Sequence, residues 1–452
     1  MNTFPHWAQE AIFYHIYPLG ACGAPQRNDF SSPAIARLEN IRAWLPHLKY
    51  LGVNALYLGP VFESSAHGYD TADYYHVDRR LGSDETLATL VDTLHQNGVR
   101  VILDGVFNHV GRDFWAFRDV QKNGSNSAYC DWFANLRFEG SSPFGDPFTY
   151  EGWNGNYDLV KLNLRHPAVM DHLLGAVRSW EERFHIDGLR LDVADCLDMQ
   201  FIEALHIFSR ELSPDFWLMG EVVHGDYRNW VSPTRLDSVT NYECYKGLYS
   251  SFVDKNFFEI AYAFNRQFGP EGMYRNLPLY AFADNHDVNR VASLLTQPAH
   301  LFPLYCLLFT MPGVPSIYYG SEFGLTGKRT QNDDSDLRPC LDLAALQQNC
   351  PQPHLPAALA RLAALRQSLP ALKQGDYQQV WVNHEQLIFA RSFEGQTVYV
   401  AINAAEQPVE VQFDLFQPAD SLQDKLNGGE QVSVQNKHCH ITLPPCWARV
   451  LV

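Results

Sequence analysis

Two runs of this chain end in carboxylates that could act on a single bond. Asp187-Gly188-Leu189-Arg190-Leu191-Asp192 and Phe216-Trp217-Leu218-Met219-Gly220-Glu221 each read as an apolar strand with charge at its far end. Burying Arg190, Asp192 and Glu221 in strands of core composition is costly unless they have a role there. If the strands are parallel neighbours, their ends lie about 5 Å apart. That is close to the roughly 5–5.5 Å separating the two carboxyl groups of a retaining glycosidase, where one attacks the anomeric carbon and the other moves the proton.

The elements that must position this pair alternate in type along most of the chain. Strand-like runs are expected at 11–18, 54–62, 99–106, 189–193, 217–223, 238–243, 279–283 and 314–319. Between them fall helical patterns: one over 35–51 stopped by Gly52, one capped by Ser83 with Leu87, Leu90, Val91 and Leu94 on one face, one over 167–184 opened by Pro167, and one over 201–212. Eight such units in roughly 370 residues predict an α/β fold, a (β/α)8 TIM barrel, with a doubly wound open sheet as runner-up. The runner-up would want a phosphate-binding glycine turn after the first strand, and Leu19-Gly20-Ala21-Cys22-Gly23 matches one poorly.

Residues 110–158 are too long and too irregular for a plain βα loop, so a small inserted domain over the barrel mouth is expected there. From 373 to 452 short alternating runs separated by turn signals predict a C-terminal antiparallel β-sandwich. The barrel itself is then assigned to 1–109 and 159–372.

A net charge of −17 without a Lys/Arg run argues against nucleic acid and anionic membranes and suits a neutral substrate. No apolar stretch reaches the ~18 residues of a membrane span, and the first ten residues lack a signal peptide's pattern. Nine cysteines, an odd number with no CxxC pair, read as free thiols in a reducing compartment. Together these features predict a cytoplasmic protein.

Catalysis in a barrel sits at the C-terminal ends of the strands. There the chain carries Asp104-Gly105-Val106-Phe107-Asn108-His109, then Arg190-Leu191-Asp192, then Glu221, then Asn285-His286-Asp287, with His67-Gly68-Tyr69-Asp70 after the second strand. As an ordered set these motifs resemble the α-amylase family of glycoside hydrolases and transglycosidases, and the resemblance runs from Tyr14 to the sandwich. It implies Asp192 as nucleophile, Glu221 as general acid/base and Asp287 as the carboxylate that holds the sugar's hydroxyls. His109 and His286 are implied as hydrogen-bond partners of that sugar, Tyr69 as the platform beneath it, and Asp104 as a brace for Arg190. Side chains two apart on a strand share a face, so Arg190 is expected to keep Asp192 ionised. Glu221 is expected to need a raised pKa.

Asp158-Leu159-Val160-Lys161-Leu162-Asn163-Leu164-Arg165-His166-Pro167 is similar to a signature of the neopullulanase, cyclomaltodextrinase and maltogenic amylase group, with Leu159-Val160 departing from it. Asp195 and Cys196 stand where extracellular α-amylases usually carry a Lys-His pair, which disfavours an enzyme of long starch. The loop Asp333-Asp334-Ser335-Asp336-Leu337-Arg338-Pro339 resembles the family's loop after strand eight. The first strand begins about ten residues in, without the N-terminal β-domain that this group uses to dimerise, so any homodimer is expected to be built differently. The expected reaction is retaining hydrolysis of α-1,4 bonds, and also of α-1,6 bonds, in short maltooligosaccharides or cyclic maltodextrins. The alternatives are an α-glucan transglycosidase or isomerase using the same carboxylates, or an inactive sugar-binding relative. No catalytic cofactor is implied. A structural calcium is left open by the resemblance: Asn108 matches one oxygen ligand of the family's site, calcium takes six to eight oxygens, and no matching carboxylate cluster stands out in 111–158.

Overall fold

The computed structural model describes residues 4–331 and 333–452. Eight parallel strands form one sheet in the spatial order β10-β11-β1-β2-β3-β7-β8-β9. They are β1 (Phe13–Ile16), β2 (Ala55–Leu58), β3 (Arg100–Gly105), β7 (Gly188–Leu191), β8 (Trp217–Gly220), β9 (Ser238–Val239), β10 (Tyr280–Phe282) and β11 (Val314–Tyr318). A parallel bridge from Thr240 to Tyr280 joins the two end strands and closes the barrel. The remaining strands of the chain's first two-thirds, β4 (His109–Gly111), β5 (Gly152–Trp153) and β6 (Asn156–Lys161), form a separate antiparallel sheet in the insertion after β3.

The barrel strands are buried on both faces, as parallel strands covered by helices must be. Their inward rows follow the period of two. Phe13, Tyr57, Ile102, Trp217, Met219, Tyr280 and Phe282 fill the interior, and Phe13 stacks on Trp217 at 5.2 Å. The interior is thus a packed core rather than a pore. One layer higher the inward row turns polar: Ile102 is followed by Asp104, Met219 by Glu221, and Arg190 by Asp192. The charged side chains gather where the rows emerge at the mouth, while the buried Ser316 hydroxyl, deeper in the barrel, accepts from Tyr280.

Helices cover the outside. Ser83 caps the helix Asp84–Gln96 through Thr86, and Leu87, Leu90, Val91 and Leu94 are its buried face. The helix Pro167–Phe184 ends at His185 in the left-handed conformation. The helix expected over 35–51 is instead two short ones, Glu39–Arg42 and Leu45–Tyr50. Pro46 has no N–H to give to Arg42, so a continuous ladder cannot pass through it. The strand expected over 238–243 ends at Val239, because the Asn241 side chain accepts from the Cys244 N–H and opens the helix Tyr242–Val253.

The C-terminal residues form two four-stranded antiparallel sheets. One has the order β12-β13-β14-β19 and the other β15-β18-β17-β16, from β12 (Asp376–Val382), β13 (Gln386–Phe393), β14 (Gln396–Asn403), β15 (Val409–Asp414), β16 (Ser421–Gln423), β17 (Gln431–Gln435), β18 (His438–Leu443) and β19 (Trp447–Leu451). They pack as a sandwich around Ile388, Tyr399, Val411, Phe413 and Ile441. Buried Arg391 ties this unit to the barrel, and buried Arg366, within the barrel, shares one of its acceptors. Arg391 donates to the carbonyls of Thr310 and Leu372, and Arg366 to those of Phe309, Gly313 and Leu372. Burial pushes both guanidinium groups down to about 9. All nine cysteines are free thiols, and no helix among the described residues is long and apolar enough to cross a membrane.

Candidate active site

Asp192 and Glu221 each lie one residue past the end of their strands, where the backbone is still held in register. The Asp192 N–H donates to the Gly105 carbonyl (3.1 Å) and the Glu221 N–H to the Leu191 carbonyl (2.9 Å). Their side chains meet on one guanidinium. Arg190 Nη1 donates to Asp192 Oδ1 (2.9 Å) and to both oxygens of Asp104 (2.9 and 3.2 Å), and its Nη2 lies 2.8 Å from Glu221 Oε2. All four side chains are buried. Tyr57 and Tyr69 hydroxyls donate to Asp104 Oδ2 at 2.8 and 3.1 Å, which completes the floor.

Glu221 is held by more than Arg190. Its Oε2 accepts the Val193 N–H (3.1 Å), and its Oε1 accepts the Tyr242 hydroxyl (3.4 Å). Val193 reaches it through a left-handed backbone, φ 41° and ψ 50°. That conformation costs a β-branched residue about 1–3 kcal/mol and persists only where its surroundings enforce it.

The charge on Asp192 differs from the expectation that Arg190 keeps it ionised. Burial pushes its carboxyl well above the usual aspartate range. Arg190 pulls the other way, while the charges of Glu221, Asp104 and Asp287 add to the rise. One guanidinium shared among three carboxylates cannot neutralise them all. For Asp287, burial raises the pKa, but His286, Arg338 and Arg190 outweigh it and hold the carboxyl far below the ordinary range. Asp287 Oδ2 lies 3.0 Å from His286 Nε2, and its Oδ1 accepts from Arg338 Nη2 at 3.0 Å.

His109 is buried, with Nε2 3.8 Å from Asp192 Oδ2. Burial pushes its imidazole down to about 3, so it is neutral. Asn108 Nδ2 donates to His109 Nδ1 (3.1 Å), which leaves the ring proton on Nε2, facing the cleft. That Nε2 has no partner of its own. The Tyr69 ring is stacked with His286 at 5.5 Å and 9°, and its hydroxyl also meets His286 Nε2.

The cleft above these groups has a volume of 690 Å³ and takes in Tyr69, His109, Asp192, Glu221 and Asp287. The structure therefore brings together all nine residues singled out from the sequence, with Asp104 and Arg190 beneath the cleft and Asn108 behind His109. It adds three that sequence reasoning missed. Arg338 comes from the loop after β11, Tyr242 from the first turn of a helix, and Trp153 from the tip of the inserted hairpin. Only Arg338 had a signal, in the acidic loop at 333–339.

Asn108 has its amide nitrogen on His109, and among the described residues no group of three or more His, Cys, Asp or Glu is placed to hold a metal ion. Nearby carboxylates are already engaged: Asp146 with Arg112 and Asp113 with Ser65. The donor set does not fit a calcium ion.

The residues 29–349 match the model of the α-amylase catalytic domain, and 375–451 that of an α-amylase C-terminal domain. The chain belongs to the α-amylase family. It is a glycoside hydrolase of α-glucosidic bonds. It is 31% identical to a cyclomaltodextrinase of Geobacillus thermopakistaniensis over 465 residues, covering 98% of this chain and 76% of that one. It is 31% identical to neopullulanase 2 of Thermoactinomyces vulgaris over 472 residues, covering 99% and 78%. A solved cyclomaltodextrinase superposes with a TM-score of 0.86 at 28% identity, covering 99% of this chain and 79% of that one.

One glycine links the fold to this site. A Cβ on Gly20 would lie 2.0 Å from the Arg338 carbonyl oxygen, a backbone atom with nowhere to go. Gly20→Ala is therefore expected to push the loop after β11 outward and loosen Arg338 from Asp287. Overpacking of this kind costs about 1–3 kcal/mol of stability. Steady-state kinetics on a p-nitrophenyl maltooligoside should show kcat/KM reduced about tenfold or more, roughly the 1.4 kcal/mol of one lost contact.

Proposed function

We propose that this hydrolase works by double displacement on short maltooligosaccharides or cyclic maltodextrins, cleaving α-1,4 bonds and tolerating α-1,6 bonds. The observation that carries the reading is the single Arg190 fork spanning Asp192 and Glu221. It sets an attacking carboxylate and a proton carrier side by side on one guanidinium, the pair that a covalent glycosyl intermediate requires. Asp192 Oδ attacks the anomeric carbon while Glu221 gives its proton to the glycosidic oxygen. The leaving sugar departs, and Glu221 then takes a proton from water, whose oxygen displaces Asp192.

Glu221 accepts from Arg190, Val193 and Tyr242, whereas Asp192 accepts from Arg190 alone. Sugar hydroxyls donating to Asp192 favour its charged, attacking form. Asp287, kept ionised by His286 and Arg338, accepts from hydroxyls of the same sugar, and His109 Nε2–H donates to it. Tyr69 lies beneath.

The substrate class is supported by the relatives, which are named as a cyclomaltodextrinase and a neopullulanase. The nine free thiols support a cytoplasmic location. No metal is required on this reading. The test is a product profile on maltotriose, β-cyclodextrin, pullulan and starch in the presence of a chelator, with the anomer followed by NMR. The expected result is α-configured product, with cyclodextrin and maltotriose preferred over starch. A β-configured product, or a strict preference for starch, would contradict it.

A further inference from the structure

At the end of the barrel opposite the carboxylates, a second cleft of 340 Å³ opens between the starts of β10 and β11 and the sandwich strands β12 and β13. Its charged lining is mostly cationic: Arg275, Lys373 and Arg391 face a single carboxylate, Asp376. That runs against a chain whose net charge is −17. Two of the three cations are already matched. Arg275 donates from Nε and Nη2 to the two oxygens of Asp376, at 3.0 and 2.6 Å. Lys373 Nζ lies 3.3 Å from Glu10 Oε1.

Arg391 has no carboxylate. It is 1% exposed, as is Arg366 behind it, and every acceptor that either guanidinium meets is a backbone carbonyl. The two even share one, that of Leu372, at 2.9 and 3.0 Å. Several of these carbonyls end the helices Leu301–Thr310 and Pro370–Gln374. A helix end offers only about half a negative charge, so two of them fall short of two full positive charges. Burying cations without matching charge is costly. Nor is Arg391 saturated. A guanidinium has five N–H groups. Arg391 gives one from Nε and one from Nη2 to the Gly375 carbonyl, and both of Nη1 to Thr310 and Leu372. One Nη2 N–H is left over, in a side chain that lines the cleft.

We infer that this cleft binds a phosphate group, free or carried on a small sugar, through Arg391 and Lys373. A guanidinium fork fits phosphate oxygens, and a lysine beside it adds a mobile point charge. The phosphate supplies the negative charge that the two buried guanidiniums lack. It does so where barrel and sandwich meet, so binding stabilises that junction. Asp192 and Glu221 lie at the other end of the strands, so hydrolysis of p-nitrophenyl maltoside reports whether a variant is intact.

The test titrates the whole chain with sodium phosphate and, separately, with glucose 6-phosphate, at an ionic strength held constant with sodium chloride. Binding is followed by isothermal calorimetry and by melting temperature. At least one of the two should bind saturably with a dissociation constant of about 1 mM or below, and raise the melting temperature by about 2–4 °C at a hundredfold excess over that constant. Lys373→Met should weaken binding about fivefold or more and Arg391→Lys about tenfold or more, with p-nitrophenyl maltoside hydrolysis within about twofold of wild type. If Arg391→Lys does not fold, Lys373→Met decides alone. Binding of inorganic phosphate assigns a site for the free anion, and binding of glucose 6-phosphate alone assigns one for a sugar phosphate. Binding of neither, binding that the variants retain in full, or a rise in melting temperature that chloride reproduces overturns the inference.

Discussion

Asp192→Asn is expected to lower kcat on maltooligosaccharides by about 10⁴-fold or more, because the carboxylate that forms the glycosyl ester is gone. The fold should not suffer. Asp192 has a carboxyl raised above its unfolded value, so the native state binds more protons than the unfolded one and stability falls as pH rises through that range. Asn removes this cost, and the melting temperature at neutral pH is expected to rise while Arg190 keeps Asp104 and Glu221 as partners. Activity lost together with a large drop in melting temperature would mean that Asp192 is a structural ion-pair partner instead.

Glu221→Gln should separate the two steps. General acid–base catalysis contributes about 10²–10⁴-fold, so natural substrates with poor leaving groups should slow by about that factor. With α-glucosyl fluoride, whose leaving group needs no proton, the first step should survive and the covalent intermediate accumulate. Azide, a nucleophile that needs no base, should then restore turnover and yield the α-azide. The acid limb of the first step should also move to lower pH. The wild-type limb lies above the ordinary aspartate range of about 4, because burial and the Glu221 charge raise Asp192, and Gln removes the second cause. An acid limb that stays in place would show that the Glu221 charge does not raise Asp192.

Much of the site was legible because barrel strands obey a period of two. Once Trp217 and Met219 point inward, Glu221 must follow them, and Arg190 and Asp192 share a row for the same reason. The helix over 35–51 was misread because apolar spacing outweighed one proline, Pro46, that breaks the ladder. The end of the sixth strand was misread because Asn241 caps a helix only once its partner N–H at Cys244 is in place. Arg338, Tyr242 and Trp153 arrive from a loop, a helix start and a hairpin tip, segments whose paths across the mouth have no periodicity to follow. The raised Asp192 could not be read either, since it depends on three carboxylates converging on one arginine.

The most direct measurement is mass spectrometry of the wild-type protein after reaction with 5-fluoro-α-glucosyl fluoride, which forms a glycosyl ester and hydrolyses slowly. One fluoroglucosyl group should be found on the peptide containing Asp192 and released on proteolysis at high pH. Label on a different carboxylate, or no covalent adduct from a turned-over reagent, would contradict double displacement through Asp192.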